Sequence, residues 1–558
     1  RRLQLVAHRC PLVHHFQTVG FSGKHAVNPP YLTHTGAASP SQIVMRRVHS
    51  LIDTLEVSPF ASSRIIQHAT VHQTYQVEDA VLGVGASGKV RPVIHKGSGR
   101  RFALKSLCTL GLSQKRWNML RDEVEIFLSM DHPNICKLFE VYQDSSHVHL
   151  VMELCEGPAL SNRLERRTTY TEREAAMACV QMLDALSYLH WQKVCHRDLK
   201  LENWVYSSTS EDAKLKLIDF GLSMHFSGLP EAGMEGTAAY MAPEMWEGTV
   251  DEKCDVWALG VIMYLLLSGS LPFVGQHSSE IVREVMMKGF PLDGPRWDGV
   301  SQLAKDFVAH LLAEDPEERP SAKDSMHHAW LLAMSVGRGS RTCEGDVSDN
   351  VLKQLSAFAS ENAIKRAACG LMAFSMSARD MSDMEEQFRR IDRDRSGAIS
   401  LDELTELLKK RLRMTEDEAQ RVFMKLDQTG DRSIHYSEFL AAAVMSRTTL
   451  HRRVIREAFQ KFDVDGKGFI SIDDLRRVLG NEYGGTQVED IIAAVDLSKN
   501  GVIEYSEFVE ALMEHLPSGD TVSDPQSAEI IRRVSRRTLG RISRTASGRN
   551  GVWTKEVP

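Results

Sequence analysis

The apolar positions change period along the chain. Short β-branched runs come first, at 80–84, 90–94, 102–107 and 147–152, and long helical patterns follow at 171–190 and 255–268. Strands first and helices after predict a two-lobed α+β body over residues 75–330. Residues 331–345, with Gly337, Arg338, Gly339 and Ser340, read as a linker. Between 346 and 380 helical spacing returns, first as Val351, Leu355 and Phe358, then as Ile364, Ala368 and Leu371. The step from Phe358 to Ile364 turns a helix by about 600°, so the two stripes face differently. Residues 381–515 repeat themselves. Phenylalanines stand before four polar windows (Phe388, Phe423, Phe459, Phe462) or after them (Phe439, Phe508), which predicts helix–loop–helix units. The longest strongly apolar run, 258–267, is too short for a membrane span, which needs about 20 residues.

Composition adds bounds. The 558 residues are 42% hydrophobic and 25% charged, which excludes wholesale disorder. A net charge of -7 gives no footprint for nucleic acid. Nine scattered cysteines without a CxxC pair suit reduced thiols and a cytoplasmic location. The two ends differ from the rest. Residues 1–74 hold only two acids, Asp53 and Glu56, and are expected to form a flexible extension. Residues 516–558 are polar, with no acid from Arg532 to Arg549. This basic tail suits contact with an anionic membrane surface. Its Ser535 and Ser547 each follow an arginine by three positions and are expected phosphorylation sites.

Between two predicted strands lies Leu82-Gly83-Val84-Gly85-Ala86-Ser87-Gly88-Lys89-Val90. Glycines there let the backbone approach a polyphosphate and present N–H donors. Alone, this pattern also suits an ordinary hairpin turn. Its company decides: Lys105 on the following strand, Glu123 on the next helix, then His196-Arg197-Asp198-Leu199-Lys200-Leu201-Glu202-Asn203, Asp219-Phe220-Gly221, Ala242-Pro243-Glu244, Asp255-Val256-Trp257 and Arg319. In this order they resemble a complete eukaryotic protein kinase domain.

The resemblance implies roles. Phosphoryl transfer rests on positioning and charge neutralisation. Lys105, oriented by Glu123, would meet the ATP phosphates. Asn203 and Asp219 would hold Mg²⁺, a hard cation that takes oxygen ligands. Asp198 would receive or orient the substrate hydroxyl, and Lys200 would screen the transferring phosphate. Met152, Glu153 and Cys155 would form the hinge against adenine. Three departures stand out. Ser87 replaces an aromatic residue at the loop tip. Gly157-Pro158-Ala159-Leu160 lacks the usual acid, which weakens a preference for substrates with basic residues near Ser/Thr, although Glu202 remains. Thr237 stands where phosphorylation or substrate contact is common, and Glu231 and Glu235 could mimic a phosphate toward Arg197.

The four polar windows begin at Asp392, Asp427, Asp463 and Asp496 and resemble EF-hand loops. Calcium needs six to eight oxygens, a backbone carbonyl at position 7, a bidentate acid at position 12 and a turn with positive φ at position 6. The first loop fits throughout, with Asp392, Asp394, Ser396, Ala398, Ser400 and Glu403. So does the fourth, with Asp496, Ser498, Asn500, Val502, Glu504 and Glu507. The second offers Asp427, Thr429, Asp431, Ser433 and Glu438 but has Arg432 at the glycine position. The third has Asp463 and Asp465, Lys467 at position 5 and the shorter Asp474 at position 12. The second and third are therefore expected to bind weakly. Ile399 and Ile434, then Ile470 and Ile503, are expected to bridge paired loops.

Lys353, Lys365 and Arg366 make the 346–380 segment basic, like a calmodulin target; a linker helix packed on its own domain is the alternative. The full order is a kinase over 75–330, a junction over 331–380 and four EF-hands over 381–515. It resembles the calcium-dependent protein kinases of plants and alveolate parasites. That likeness implies a monomeric Ser/Thr kinase using ATP, Mg²⁺ and Ca²⁺, blocked by its junction until the EF-hands load. A non-catalytic scaffold conflicts with the presence of Lys105, Asp198, Asn203 and Asp219. A calcium buffer conflicts with the kinase body.

Overall fold

The computed structural model describes residues 51 and 55–513, apart from 68, 86–87, 168, 227–235, 249, 288, 336–346, 376–381 and 448–451. The first lobe is a seven-stranded sheet. A short helix α1 (Pro59–Ser62) leads into β1 (Ile65–Ile66), β2 (Tyr75–Val77), β3 (Gly83–Gly85), β4 (Gly88–His95) and β5 (Arg101–Cys108). Helix α2 (Gln114–Ser129), capped by the Ser113 hydroxyl, crosses to β6 (Leu138–Gln143) and β7 (His147–Met152). The order is β1-β6-β7-β5-β4-β2, with β3 paired to β4. In the helical lobe, α3 (Glu172–Trp191) starts on a Thr171/Glu174 capping box. Helix α4 (Lys253–Ser268) is buried almost along its whole length and ends on Gly269 at φ 71°.

Two expectations change here. Residues 55–67 and 69–74 are built into the domain rather than free. Ile65 and Ile66 pair in parallel with Val141 and Tyr142, and Leu51, Ala61 and Val71 are buried. In the glycine-rich region the strand expected over 80–84 forms only from Gly83, after a separate β2.

The junction is two helices, α5 (Asp349–Ala359) and α6 (Ala363–Ser375), broken where the apolar phase slips. Eight further helices make the four hands: α7 (Ser382–Ile391) and α8 (Leu401–Leu412), α9 (Glu416–Leu426) and α10 (Tyr436–Arg447), α11 (Arg452–Phe462) and α12 (Ile472–Leu479), α13 (Val488–Val495) and α14 (Tyr505–Met513). Loops pair as expected: Ile399 lies opposite Ile434, and Ile470 opposite Ile503. Helices α5 and α6 share one apolar core with the hands, and α6 packs on α10, α11 and α14. Lys365 and Arg366 are buried there, not displayed on a basic face. Lys365 pairs with Glu361 at 3.0 Å, and Arg366 donates to the Ala359 and Glu361 carbonyls.

The EF-hand body sits against the kinase. Arg389 and Arg395 reach Asp184 on α3 at 3.1 and 3.4 Å, and Lys214 pairs with Glu385. The Ser437 N–H donates to Asp131 at 2.7 Å, and Lys461 pairs with Glu140 on β6. Gly397, at position 6 of the first loop, presses on Tyr188 so closely that an added Cβ would stand 2.7 Å from the ring.

Candidate active site and calcium loops

Lys105 sits on β5, opposite Val90 on β4 and Leu150 on β7. Its Nζ donates to Glu123 Oε1 on α2 and to Asp219 Oδ1, both at 2.7 Å. Burial pulls this ammonium's pKa down, but the two carboxylates outweigh it and raise it above the usual lysine range. Burial likewise works against Asp219's charge, and Lys105 outweighs it, holding that carboxyl low. Glu123 moves up, because its burial and the charge of Asp219 exceed the pull of Lys105. The charged lysine thus neutralises two acids from distant parts of the chain.

Asp198 Oδ1 accepts the Thr237 hydroxyl at 2.7 Å and the Thr237 N–H at 3.1 Å, and Lys200 pairs with its other oxygen. Asn203 Nδ2 donates to the Asp198 carbonyl at 2.8 Å. Asp255 supports this loop from beneath, accepting the N–H groups of His196 and Arg197 at 2.8 and 2.9 Å. Arg197 adopts φ 65°, an uncommon backbone for a side-chain-bearing residue, and Asp255 fixes it. Arg319 forms a buried two-point pair with Glu244 at 2.6 and 3.1 Å.

Above these groups lies the glycine-rich hairpin, Gly83 opposite Val90, Val84 opposite Lys89 and Gly85 opposite Gly88. Leu82 and Val84 are 50% and 73% exposed, as suits the underside of a cover. Gly88 (φ 143°) lies so close to β5 that a Cβ would be 2.7 Å from the Ser106 carbonyl. Ala86 and Ser87 fall outside the described residues, as do Glu231, Glu235, Ser535 and Ser547. At the hinge, Met152 is buried and Cys155 half-buried. The Glu153 carboxylate takes Lys216 Nζ at 2.9 Å and the Lys137 N–H at 3.3 Å. Lys216 and His190, which bonds Asp255 at 3.1 Å, are supports that sequence reasoning missed. A lysine between Leu215 and Leu217 in an apolar strand was the available signal for the first.

The calcium loops separate in an unexpected way. In the first, one oxygen from each of Asp392, Asp394 and Glu403 lies within 4.8 Å of the others. Burial, Glu403 and Asp394 push the Asp392 pKa up to about 8, so the loop favours a proton or another cation. That is the donor set calcium takes. Glu403 meanwhile caps α8, accepting the Ser400 N–H at 2.9 Å and its hydroxyl at 2.8 Å.

The third loop, expected to be weak, gathers Asp463, Asp465 and Asp474 equally closely, with Lys467 paired to Asp465. The second loop gathers no such triad. His435, at position 9, holds Asp431 at 2.6 Å. Burial lowers the imidazole's pKa, but Asp431, Glu438 and Asp131 outweigh it and raise it to about 9. Arg432 adopts φ 68°, so the turn forms without glycine. The fourth loop holds Asp496 against the Gly501 N–H at 2.7 Å and Glu507 against the Ser498 N–H at 2.9 Å, and it is largely exposed.

Comparison with known proteins agrees with both halves. The protein kinase domain family matches residues 75–331, and the EF-hand domain pair family matches 381–444 and 452–513. The chain is 34% identical to calcium-dependent protein kinase 33 of Arabidopsis thaliana, over 76% of this chain and 82% of that protein. It is 31% identical to calcium-dependent protein kinase 5 of Plasmodium falciparum, over 83% of each. It is 33% identical to calcium-dependent protein kinase 11 of Oryza sativa, over 78% and 75%.

Proposed function

The chain belongs to the calcium-dependent protein kinase family, and from that premise we propose how its residues divide the work of a calcium-activated serine/threonine kinase. One observation carries the reading: Lys105 bridges Glu123 and Asp219 while α6 lies among the EF-hands. The nucleotide side is assembled in the same arrangement that sequesters the junction.

ATP supplies the phosphoryl group, and Asp219 and Asn203 would hold Mg²⁺, which would neutralise its charge. Lys105 meets the phosphates from β5, and the hairpin glycines let backbone N–H groups approach them. Asp198 receives the substrate hydroxyl, displacing the contact it makes with Thr237. Lys200 stays beside it to screen developing charge. Exposed Glu202 favours a basic residue near the target Ser or Thr.

The acids of the first, third and fourth loops would hold calcium, which would stabilise the body that encloses α6. Without calcium the core that buries Lys365 and Arg366 loosens, and the junction returns to block the kinase. The charge of the tail suits reversible attachment of a cytoplasmic enzyme to anionic membrane.

The test is kinase rate against free calcium for the full chain, with a Glu403→Gln variant alongside. The reading expects low activity in chelator, stimulation by calcium and loss of that stimulation in the variant. Full activity in chelator would overturn it.

A further inference from the structure

Residues 55–66 touch three parts of the molecule that must agree for catalysis. The Glu56 N–H donates to Glu125 on α2 at 2.6 Å, two positions from the Glu123 that holds Lys105. Arg64, only 6% exposed, donates to the Leu128 carbonyl in the last turn of α2 and to the Leu138 carbonyl of β6 at 2.9 Å. A cation at a helix C-terminus meets the negative end of its dipole. The same guanidinium lies 4.7 Å from the centroid of the Phe374 ring, in the last turn of α6. Phe374 also meets the rings of Phe60 at 6.1 Å and Phe139 at 5.7 Å, and Lys137 donates to its carbonyl at 3.4 Å. Pro59 lies against Gly480 at the end of α12, 3.2 Å from where a Cβ would stand.

Arg64 forms no direct ion pair with a carboxylate among the described residues, although the charge of Asp131 acts on it from further away, and it is buried. A desolvated cation is costly unless dipoles or a ring face replace water. Here two carbonyls belong to the kinase lobe and the ring belongs to the junction. Each contact makes the other more favourable, so the end of α2 and the end of α6 are linked through one side chain, and such linkage is reciprocal.

We propose that Arg64 is a positioning residue and that residues 55–66 form a strap: when α6 is lodged among the EF-hands, Phe374 seats Arg64 on the end of α2 and steadies the Glu123–Lys105 pair. The strap carries calcium state to the nucleotide site along a route separate from withdrawal of the junction. It rests on the reading that calcium draws α6 into the EF-hands.

The test uses the full chain with Arg64→Met, which keeps length and apolar bulk but removes the charge. In saturating calcium, kcat should fall about tenfold, the middle of the usual coupling range, while the number of calcium ions bound, measured by calorimetry, stays as in the parent. Hydrogen exchange should quicken in residues 114–129 more than elsewhere, and Arg64→Lys should recover part of the rate. Phe374→Leu, a milder change in the same core, should cause a similar loss, and the double variant should lose no more than either alone. Parental kcat in Arg64→Met, additive losses, or exchange quickened evenly over the chain would each overturn the strap. Glu403→Gln separates the two ideas. If it keeps full calcium stimulation, the underlying reading fails. If it loses stimulation while Arg64→Met keeps it, only the strap fails.

Discussion

The nucleotide site and the first calcium loop are both rich in carboxylates, and they handle that charge in opposite ways. Around Lys105 the protein supplies its own cation, so Glu123 and Asp219 are held together by groups already in the chain. In the first loop, Asp392, Asp394 and Glu403 crowd together with only the half-exposed Lys323 beside Asp394, and Asp392 is driven toward its protonated form. The first arrangement is organised ahead of its ligand. The second is unfavourable until an ion arrives, which is what makes it responsive. The second loop is an intermediate case, because His435 supplies a positive charge from within.

Variants can break this comparison at several points. Asp198→Asn leaves the Lys105 cluster intact but removes the carboxylate proposed to meet the substrate hydroxyl. A fall in kcat of about 10² to 10⁴ is expected, with ATP binding nearly unchanged. Steady-state kinetics check it, and substantial residual turnover would remove Asp198 from its assigned role. Lys105→Met strips the internal cation and leaves two carboxylates facing each other. Loss of one partner from a buried pair costs about 3–5 kcal/mol, so denaturant unfolding should register it alongside lost activity. An unchanged unfolding midpoint would mean the cluster is not balanced as described.

Among the loops, Glu403→Gln should abolish calcium stimulation of the kinase rate, because it removes the position-12 carboxylate from the cluster with Asp392 and Asp394. Asp474→Asn should weaken calcium more than Glu438→Gln, because the third loop gathers its acids and the second does not. Calorimetric titration of the two variants distinguishes them, and the reverse order would show that His435 gives way to the ion. The smallest effect belongs to Lys323→Ala. Lys323 pairs with Asp394, an acid of the first loop, at 3.2 Å, and both side chains are half exposed. Exposed pairs contribute about 0–1 kcal/mol, so its loss should tighten calcium by no more than about fivefold.

Chemistry was most legible where it is written in short contiguous runs. The residues from His196 to Asn203, and the twelve positions of each loop, specify local backbone and ligand type together, and the structure places them accordingly. Legibility failed where a residue's partner is far away. Strand β6 was missed because Glu140 interrupts its apolar pattern, and only the fold shows that carboxylate taken by Tyr75 and Lys461. Asp474 and Glu438 looked alike in weakness, yet His435 holds Asp431 in one loop, while in the other Asp465 stays grouped with Asp463 and Asp474 although Lys467 pairs with it.

The sequence by itself determined which motif residues gather around Lys105 and Asp198, the four loops, their pairing isoleucines and the break between the junction helices. Each follows from local periodicity or from ligand chemistry at fixed spacing. Tertiary structure alone decided that residues 55–67 join the kinase lobe, that Lys365 and Arg366 are buried, and that Phe374 meets Arg64. Arg64 reads as a surface residue until the carbonyls of Leu128 and Leu138, 64 and 74 positions away, replace its water. Whether a charge can be buried depends on dipoles and rings brought from elsewhere in the chain, and no local pattern encodes that supply.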